Sequence, residues 1–179
     1  MHPQLQDLTD EFLFATARLH ALMRAVPAER WPVRRYPERW PVAECVAHLN
    51  LTSAAYDEIL KGAITKHQRP TTRFTGRYRR DFFGWLLWKS QPPPVRIRTK
   101  TIARFIPEST APTEQLVAEF DRLQEVQWRR LAEADGLALN DIKVVSPFNA
   151  KLQYNLYSCF SILPAHQHRH LWQAEQVWR

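Results

Sequence analysis

The chain has 179 residues, enough for one domain with a substantial core, and 45% of them are hydrophobic. No apolar run approaches the roughly 20 residues of a membrane span, so integral membrane proteins are excluded and we expect no membrane partner. The net charge of +7 is uneven, since residues 61–104 carry a net +11 and the remainder a net −4. A basic character confined to one segment argues against a protein that binds nucleic acid over its whole surface.

The cysteines and the N-terminus indicate the compartment. Cys45 and Cys159 form neither a disulfide framework nor a metal-type spacing. The first residues are polar and acidic, unlike a secretory signal. We therefore expect a cytoplasmic protein with reduced thiols. Few glycines and many Leu, Ala, Glu, Arg and Gln favour helices joined by stiff, proline-rich connections.

A first amphipathic helix is predicted over residues 4–26. Its apolar residues recur every three or four positions, and Pro27 ends it because proline lacks a donor and clashes with the preceding turn. Trp31, Tyr36 and Trp40 in the connection that follows are expected to cover one end of the fold.

The second helix is predicted to begin near Pro41 and to end near Lys61, where Gly62 stops it. His48 flanks its inward stripe, with Glu44 one turn before it. A carboxylate in that position can orient a histidine ring. The alternative is a solvated acid that the helix dipole stabilises near the N-terminus.

Residues 62–112 form a long, irregular, basic and aromatic crossover. Within it, residues 81–88 (DFFGWLLW) are predicted to be a short apolar helix docked on the core. Residues 95–102 (VRIRTKTI) alternate as an extended segment would. The crossover either caps a pocket or is a solvated basic loop.

A third helix is predicted from about Pro112 to Ala134, followed by a connection that includes residues 137–149 (LALNDIKVVSPFN). A fourth helix is predicted from Leu152 or Asn155 to the C-terminus. Pro164 lies within it and should bend it.

Two histidines on the fourth helix have metal-ligand spacing. His166 and His170 are four residues apart and therefore share one helix face, as the two histidines of an H-E-x-x-H helix do. His168 projects to the opposite side, Gln173 returns to the shared face, and Cys159 is expected to line the core. The spacing alone also fits two partly exposed helix histidines, so a third ligand is needed.

Two segments of the chain carry histidine-containing motifs. They are RWPVAECVAHLN from Arg39 to Asn50 and HQHRHLWQAEQV from His166 to Val177. These segments resemble the DinB-like superfamily, including its YfiT-type metal-dependent hydrolases, whose patterns are W-S-x-x-E-x-x-x-H-L and H-x-x-x-H-x-x-Q. The matching residues are Trp40, Glu44, His48 and Leu49 in the first, and His166, Arg169, His170 and Gln173 in the second. Pro41 stands where the family usually has a capping Ser, and the segment Phe105–Pro107 is also similar.

The resemblance implies one domain, residues 1–179, with an all-α fold. It would be a four-helix bundle in up-down-down-up order with the long crossover between its second and third helices. It also implies a divalent metal held by His48, His166 and His170. Relatives include S-transferases that use small bacterial thiols, and proteins with no assigned reaction. An all-imidazole set suits Zn, Ni, Fe or Cu, and three protein ligands leave a position for water or substrate.

Three functions are compatible with these features. The leading hypothesis is a metal-dependent hydrolase or thiol S-transferase that activates water or a small thiol, with Glu44 or Gln173 orienting a ligand. Basic side chains of the crossover could attract an anionic substrate; these are Arg96, Arg98, Lys100 and Arg104. The second is a non-catalytic metal- or ligand-binding stress-response bundle. The third, nucleic-acid binding by the crossover, is disfavoured because its aromatic residues cluster as core residues do. The tryptophan content is also compatible with a homodimer.

Overall fold

The computed structural model describes residues 1–67, 72–94, 101–108 and 111–178. In these ranges the chain forms five α-helices and one β-hairpin. They are α1 Pro3–Ala25, α2 Val42–His67, α3 Phe82–Lys89, α4 Thr113–Ala134, β1 Lys143–Ser146, β2 Asn149–Asn155 and α5 Leu156–Trp178. Among the helices described, none combines the length and apolar character needed to cross a bilayer. The mainly helical fold agrees with the prediction.

The four long helices enclose two linked cores. Helix α2 packs against α4 and α5, and α1 packs against the same two helices. One core joins the N-terminal half of α1 to the C-terminal parts of α2 and α4 and to the first half of α5. The other joins the C-terminal half of α1 to the first halves of α2 and α4 and to the end of α5. Each helix therefore contributes to both cores.

Helix α1 forms where its apolar periodicity predicts. Pro3 occupies the first helical turn, and the side chain of His2 accepts a hydrogen bond from the backbone N–H of Gln4 at 3.2 Å. The buried stripe is Leu5, Leu8, Phe12, Ala15, Leu19 and Leu22. Of the aromatic residues after it, Trp31 is buried as expected, whereas Tyr36 stays exposed.

The predicted end of the second helix is wrong, because α2 continues through Gly62 to His67. Glycine in a helix costs only about 1 kcal/mol relative to alanine. Leu60 and Ile64, both buried, anchor the helix on either side of it. Burial of these side chains outweighs the local preference of glycine for a helix end.

The connection predicted before the fourth helix contains the β1–β2 hairpin, which sequence analysis did not predict. The strands are antiparallel, with Val144 opposite Tyr154 and Val145 opposite Gln153. β2 passes into α5 without a loop, so the predicted start at Leu152 is wrong and the one at Asn155 is one residue early. The β1 strand has only four residues, too few for a period to be recognised.

The predicted short apolar helix is confirmed as α3, and Asp81 fixes its start. One carboxylate oxygen accepts hydrogen bonds from the N–H of Gly84 at 3.1 Å and the hydroxyl of Ser158 at 3.2 Å. The other accepts from Lys143 Nζ at 2.6 Å and the N–H of Asn155 at 2.9 Å. One carboxylate therefore connects α3, the hairpin and α5. Most of the predicted extended segment, residues 95–100, lies outside the described residues.

Replacing Asp81 by alanine should lower the free energy of unfolding by about 2–3 kcal/mol, because a helix cap and a charged hydrogen-bonding centre are lost together. Burial alone would raise the pKa of Asp81, but Lys143, Gly84 and Ser158 lower it below its ordinary value. The stabilisation that the Asp81 carboxylate provides is therefore complete above its pKa in the unfolded chain, about 3.9. It is lost as the pH falls through the lower pKa of Asp81 in the folded protein. Urea unfolding at several pH values measures this. An equal loss in Asp141→Ala, an exposed carboxylate, would contradict it.

Two glycines provide a second, paired prediction. A Cβ on Gly84 would lie 2.0 Å from Oγ of Ser158, whereas one on Gly62 would meet nothing within 4 Å. Gly84→Ala should therefore destabilise the fold by about 1–3 kcal/mol through overpacking. Gly62→Ala should stabilise it by about 0.5–1 kcal/mol, because alanine is the better helix former. Thermal and urea unfolding of both variants test this, and a shift of the same sign in both would contradict it.

Candidate metal centre

Three histidines from two helices meet inside the bundle. Helix α2 supplies His48, and α5 supplies His166 and His170 from one face, one turn apart. All three are buried, with 1%, 9% and 8% of their surface exposed. One ring nitrogen from each lies within 4.8 Å of those from the other two. His48 therefore lies where a third ligand beside the α5 pair would be needed.

The separations fit a shared metal ion. Nε2 of His48 and Nε2 of His166 are 3.4 Å apart. Two nitrogens bound to one tetrahedral zinc at 2.0–2.1 Å would be separated by about 3.4 Å. In the described part of the chain, the group that could hold a metal contains these histidines and no carboxylate. The donor set is therefore three imidazoles.

The orientation of His48 is fixed by the crossover. Its Nδ1 donates a hydrogen bond of 2.7 Å to the backbone carbonyl of Phe105, in the 3₁₀ turn Ala103–Phe105. With the proton on Nδ1, the lone pair of Nε2 faces the other two histidines. Metal-binding histidines commonly have this arrangement. Sequence analysis missed the role of Phe105, although the similar segment Phe105–Pro107 was a signal that could have revealed it.

The two predicted neighbours of the site have different surroundings. Both carboxylate oxygens of Glu44 accept hydrogen bonds from the guanidinium of Arg34, at 2.5 and 2.6 Å. Its role in orienting a ligand stays a prediction, and it is the Phe105 carbonyl that holds His48. Gln173 lies one turn beyond His170, and its side chain opposes, as the smallest of several effects, the lowering of the pKa of that histidine.

The electrostatic environment keeps the three imidazoles neutral. Burial lowers the pKa of each, and it lowers those of His166 and His170 well below the ordinary value. Repulsion between the rings and the nearby charge of Arg169 act in the same direction for His166 and His170. Nδ1 atoms of both rings are buried without a hydrogen-bond partner among the described residues. Neutral imidazoles keep a nitrogen lone pair available, as a metal ion requires of its ligands.

Aromatic side chains from three separate segments surround the histidines. Trp40 stacks on His170 at a centroid distance of 6.1 Å and lies 4.9 Å from the ring of His48. Phe148, in the hairpin turn, lies 5.8 Å from the ring of His166 and 4.6 Å from Phe105. Trp40 was predicted only to cover one end of the fold, but its ring lies against His48 and His170. The hairpin that carries Phe148 was not predicted. The histidines thus lie in an apolar enclosure.

The remaining candidates are accounted for elsewhere. His168 points away from the pair, as predicted, with Nε2 3.0 Å from a carboxylate oxygen of Glu11. His20 pairs at the surface with Asp121 at 3.0 Å. Cys159 is buried in the core, as predicted, and burial raises the pKa of its thiol. Pro164 lies within α5, as expected.

Comparisons with known proteins identify the family. A family model described as the DinB superfamily matches residues 11–174, which include all three histidines. Comparison with curated proteins and with solved structures finds no match. The family match covers most of the chain and agrees with the two segments singled out in the sequence. The chain therefore belongs to the DinB superfamily.

Proposed function

We propose that the protein is a metal-dependent enzyme in which His48, His166 and His170 hold a divalent ion, such as Zn, Ni or Fe. Its reaction would be hydrolysis by activated water or transfer of a small thiol cosubstrate. The observation that carries the proposal is the convergence of three buried, neutral imidazoles from two helices, one of them held by a backbone carbonyl. Removing three imidazoles from water is costly, and an ion bound at nitrogens that face one another, such as Nε2 of His48 and Nε2 of His166, would offset that cost.

The charge of the site favours an anionic substrate. Three neutral imidazoles leave the charge of a divalent ion uncompensated, and when bound the ion would lower the pKa of a coordinated water or thiol. The positive charge of Arg169 lies close enough to lower the pKa of His166 and His170. Arg104 places its guanidinium 4.6 Å above the ring of Phe105, at the edge of the site. Arg96, Arg98 and Lys100 lie outside the described residues.

The protein's own groups would orient the histidine rings and exclude water from them. The Phe105 carbonyl holds the proton of His48 at Nδ1, so that Nε2 remains an acceptor. Trp40 and Phe148 restrict water around the rings.

Pairing of helix halves in the two cores supports the up-down-down-up order inferred from the family resemblance. Free, buried Cys45 and Cys159 support a cytoplasmic, reducing location.

A non-catalytic bundle that binds metal or a small ligand is the second candidate. The observation that favours it is the absence, from the cluster in the described chain, of a carboxylate that could act as a general base. Glu44 is engaged with Arg34. In this alternative the aromatic enclosure would protect a structural ion, and no substrate would enter.

His170→Ala should abolish most metal binding, because two imidazoles cannot replace the three-nitrogen site. Elemental analysis of protein purified without a histidine tag should give close to one ion per wild-type chain. The variant should retain a small fraction of that, with affinity lowered by about tenfold or more. His168→Gln is the matched control, since this residue lies on the same helix and faces Glu11. Unchanged metal content in His170→Ala, or equal loss in the control, would contradict the site.

Turnover distinguishes the two candidates. Protein loaded separately with Zn, Ni or Fe(II) should hydrolyse an activated ester, or should join the intact thiol of L-cysteine or glutathione to an alkyl halide through a new S–C bond, with release of the proton and the halide. The rate should fall at least about a hundredfold in His170→Ala and should be retained in His168→Gln, because the charge stabilisation supplied by the ion is lost only in the first. A loaded wild-type protein with no turnover in either reaction would support the non-catalytic bundle.

A further inference from the structure

Helix α3 is apolar on both of its faces, although it lies on the surface. Its inner stripe is Gly84, Leu87 and Trp88, which pack against α5 and the hairpin. Its outer side carries four large apolar side chains. They are Phe82, Phe83, Trp85 and Leu86, with exposed fractions of 68%, 52%, 41% and 50%. A helix that is hydrophobic all round is normally covered on every side, so the outer face needs an occupant.

The outer face is held rigidly to the body of the protein. Gly84 brings the backbone of α3 so close to α5 that a Cβ would overlap Ser158. Asp81 fixes the first turn through its hydrogen bonds to the hairpin and α5. The four apolar side chains therefore project from a helix that is fixed to α5 and the hairpin. Moving α3 to bury them would break these contacts.

A basic rim surrounds this face. Arg77 and Arg79 are exposed just before α3, and Nζ of Lys89 lies 4.8 Å above the ring of Trp85 at its end. In the described part of the chain, no carboxylate is within salt-bridge distance of Arg77, Arg79 or Arg80. Asp81, the acid of this segment, is turned inward to Lys143. The arginines of this rim therefore lack a carboxylate partner among the described residues.

A cleft of about 340 Å³ adjoins the face, and Trp85 borders both. Three arginines, Arg77, Arg79 and Arg80, line it together with Tyr157. The guanidinium of Arg80 lies 4.0 Å above the ring of Trp88, and its Nε is buried without a hydrogen-bond partner among the described residues. Guanidinium groups arranged in this way suit a phosphate group.

We propose that the outer face of α3 and the arginine cleft together bind the surface of a membrane that contains anionic phospholipids. Phe82, Phe83 and Leu86 enter the region between headgroups and acyl chains, Trp85 lies at the interface, and the arginines contact lipid phosphates. This peripheral attachment needs no spanning helix. The expectation of no membrane partner rested on the absence of such a span.

Size and charge favour a membrane over a second copy of the chain. The exposed apolar area of the four side chains is about 400 Å², roughly half of what each partner contributes to a stable protein interface. In a two-fold dimer this face would meet itself, so the two basic rims would repel each other. Anionic lipid neutralises the rim instead. The expectation that the crossover aromatics are core residues is wrong for Phe82, Phe83 and Trp85, which are exposed. What disfavours a nucleic-acid platform is instead Leu86, which cannot stack on a base.

Flotation with vesicles of phosphatidylcholine containing about 30% phosphatidylserine tests the proposal. The full-length wild-type chain should bind these vesicles at least about tenfold more tightly than pure phosphatidylcholine. Phe83→Asp/Leu86→Asp should lose at least about tenfold in binding. The matched control, Leu13→Asp/Leu51→Asp, adds the same charge at two exposed apolar positions on α1 and α2 and should bind as wild type does.

A second pair of variants keeps the test decisive if the aspartate variant fails to fold. Arg77→Gln/Arg79→Gln should reduce binding to the anionic vesicles, while Arg24→Gln/Arg129→Gln, with the same change of charge at exposed positions, should not. Absence of wild-type binding, or equal losses in target and control variants, overturns the proposal. If vesicles are not bound, two other results also overturn the proposal. One is a wild-type dimer that dissociates in the Phe83→Asp/Leu86→Asp variant, and the other is binding of a single-stranded oligonucleotide. The measurement is independent of the metal and of turnover.

Discussion

The close approach of three uncharged imidazoles in an apolar space is the constraint on which the rest of the site depends. His48 comes from α2, and His166 and His170 from α5, so the packing of these two helices sets the distances between the rings. Burial removes the rings from water and suppresses their protonation. A cluster of this kind is poor as a stability device, because its polar atoms lack partners. The arrangement of the three rings is one that could hold a metal ion.

The crossover and the hairpin, which lie outside the bundle proper, complete the centre. One sends the Phe105 carbonyl to His48, and the other sends Phe148 to His166. Asp81 links them, since it bonds to α3 on the crossover, to Lys143 on β1 and to Asn155 on β2. The long helices thus supply the three imidazoles, and the crossover and the hairpin determine how these rings are oriented and screened.

Sequence periodicity was sufficient for what depends on a repeated pattern. The long helices, the shared face of His166 and His170 and the outward position of His168 follow from a period of 3.6 residues. The match of His48 to that pair came from family resemblance. What failed depended on single residues: Gly62 stays helical because Leu60 and Ile64 are buried beside it. The role of Phe105 is carried by a backbone carbonyl, which every residue possesses, so no side-chain type announces it.

The direct passage of β2 into α5 has a mechanical consequence. With no loop between Asn155 and Leu156, strand β2 continues directly into the helix that bears His166 and His170, and the two form one continuous segment. Its outer end is the turn that holds Phe148, and that ring leans back on His166 and Phe105. A change in hairpin length or turn type would therefore move the ring of Phe148 beside His166 without replacing any of the three histidines. Families built on this plan could diversify what they admit by editing a few turn residues while the imidazoles stay in place.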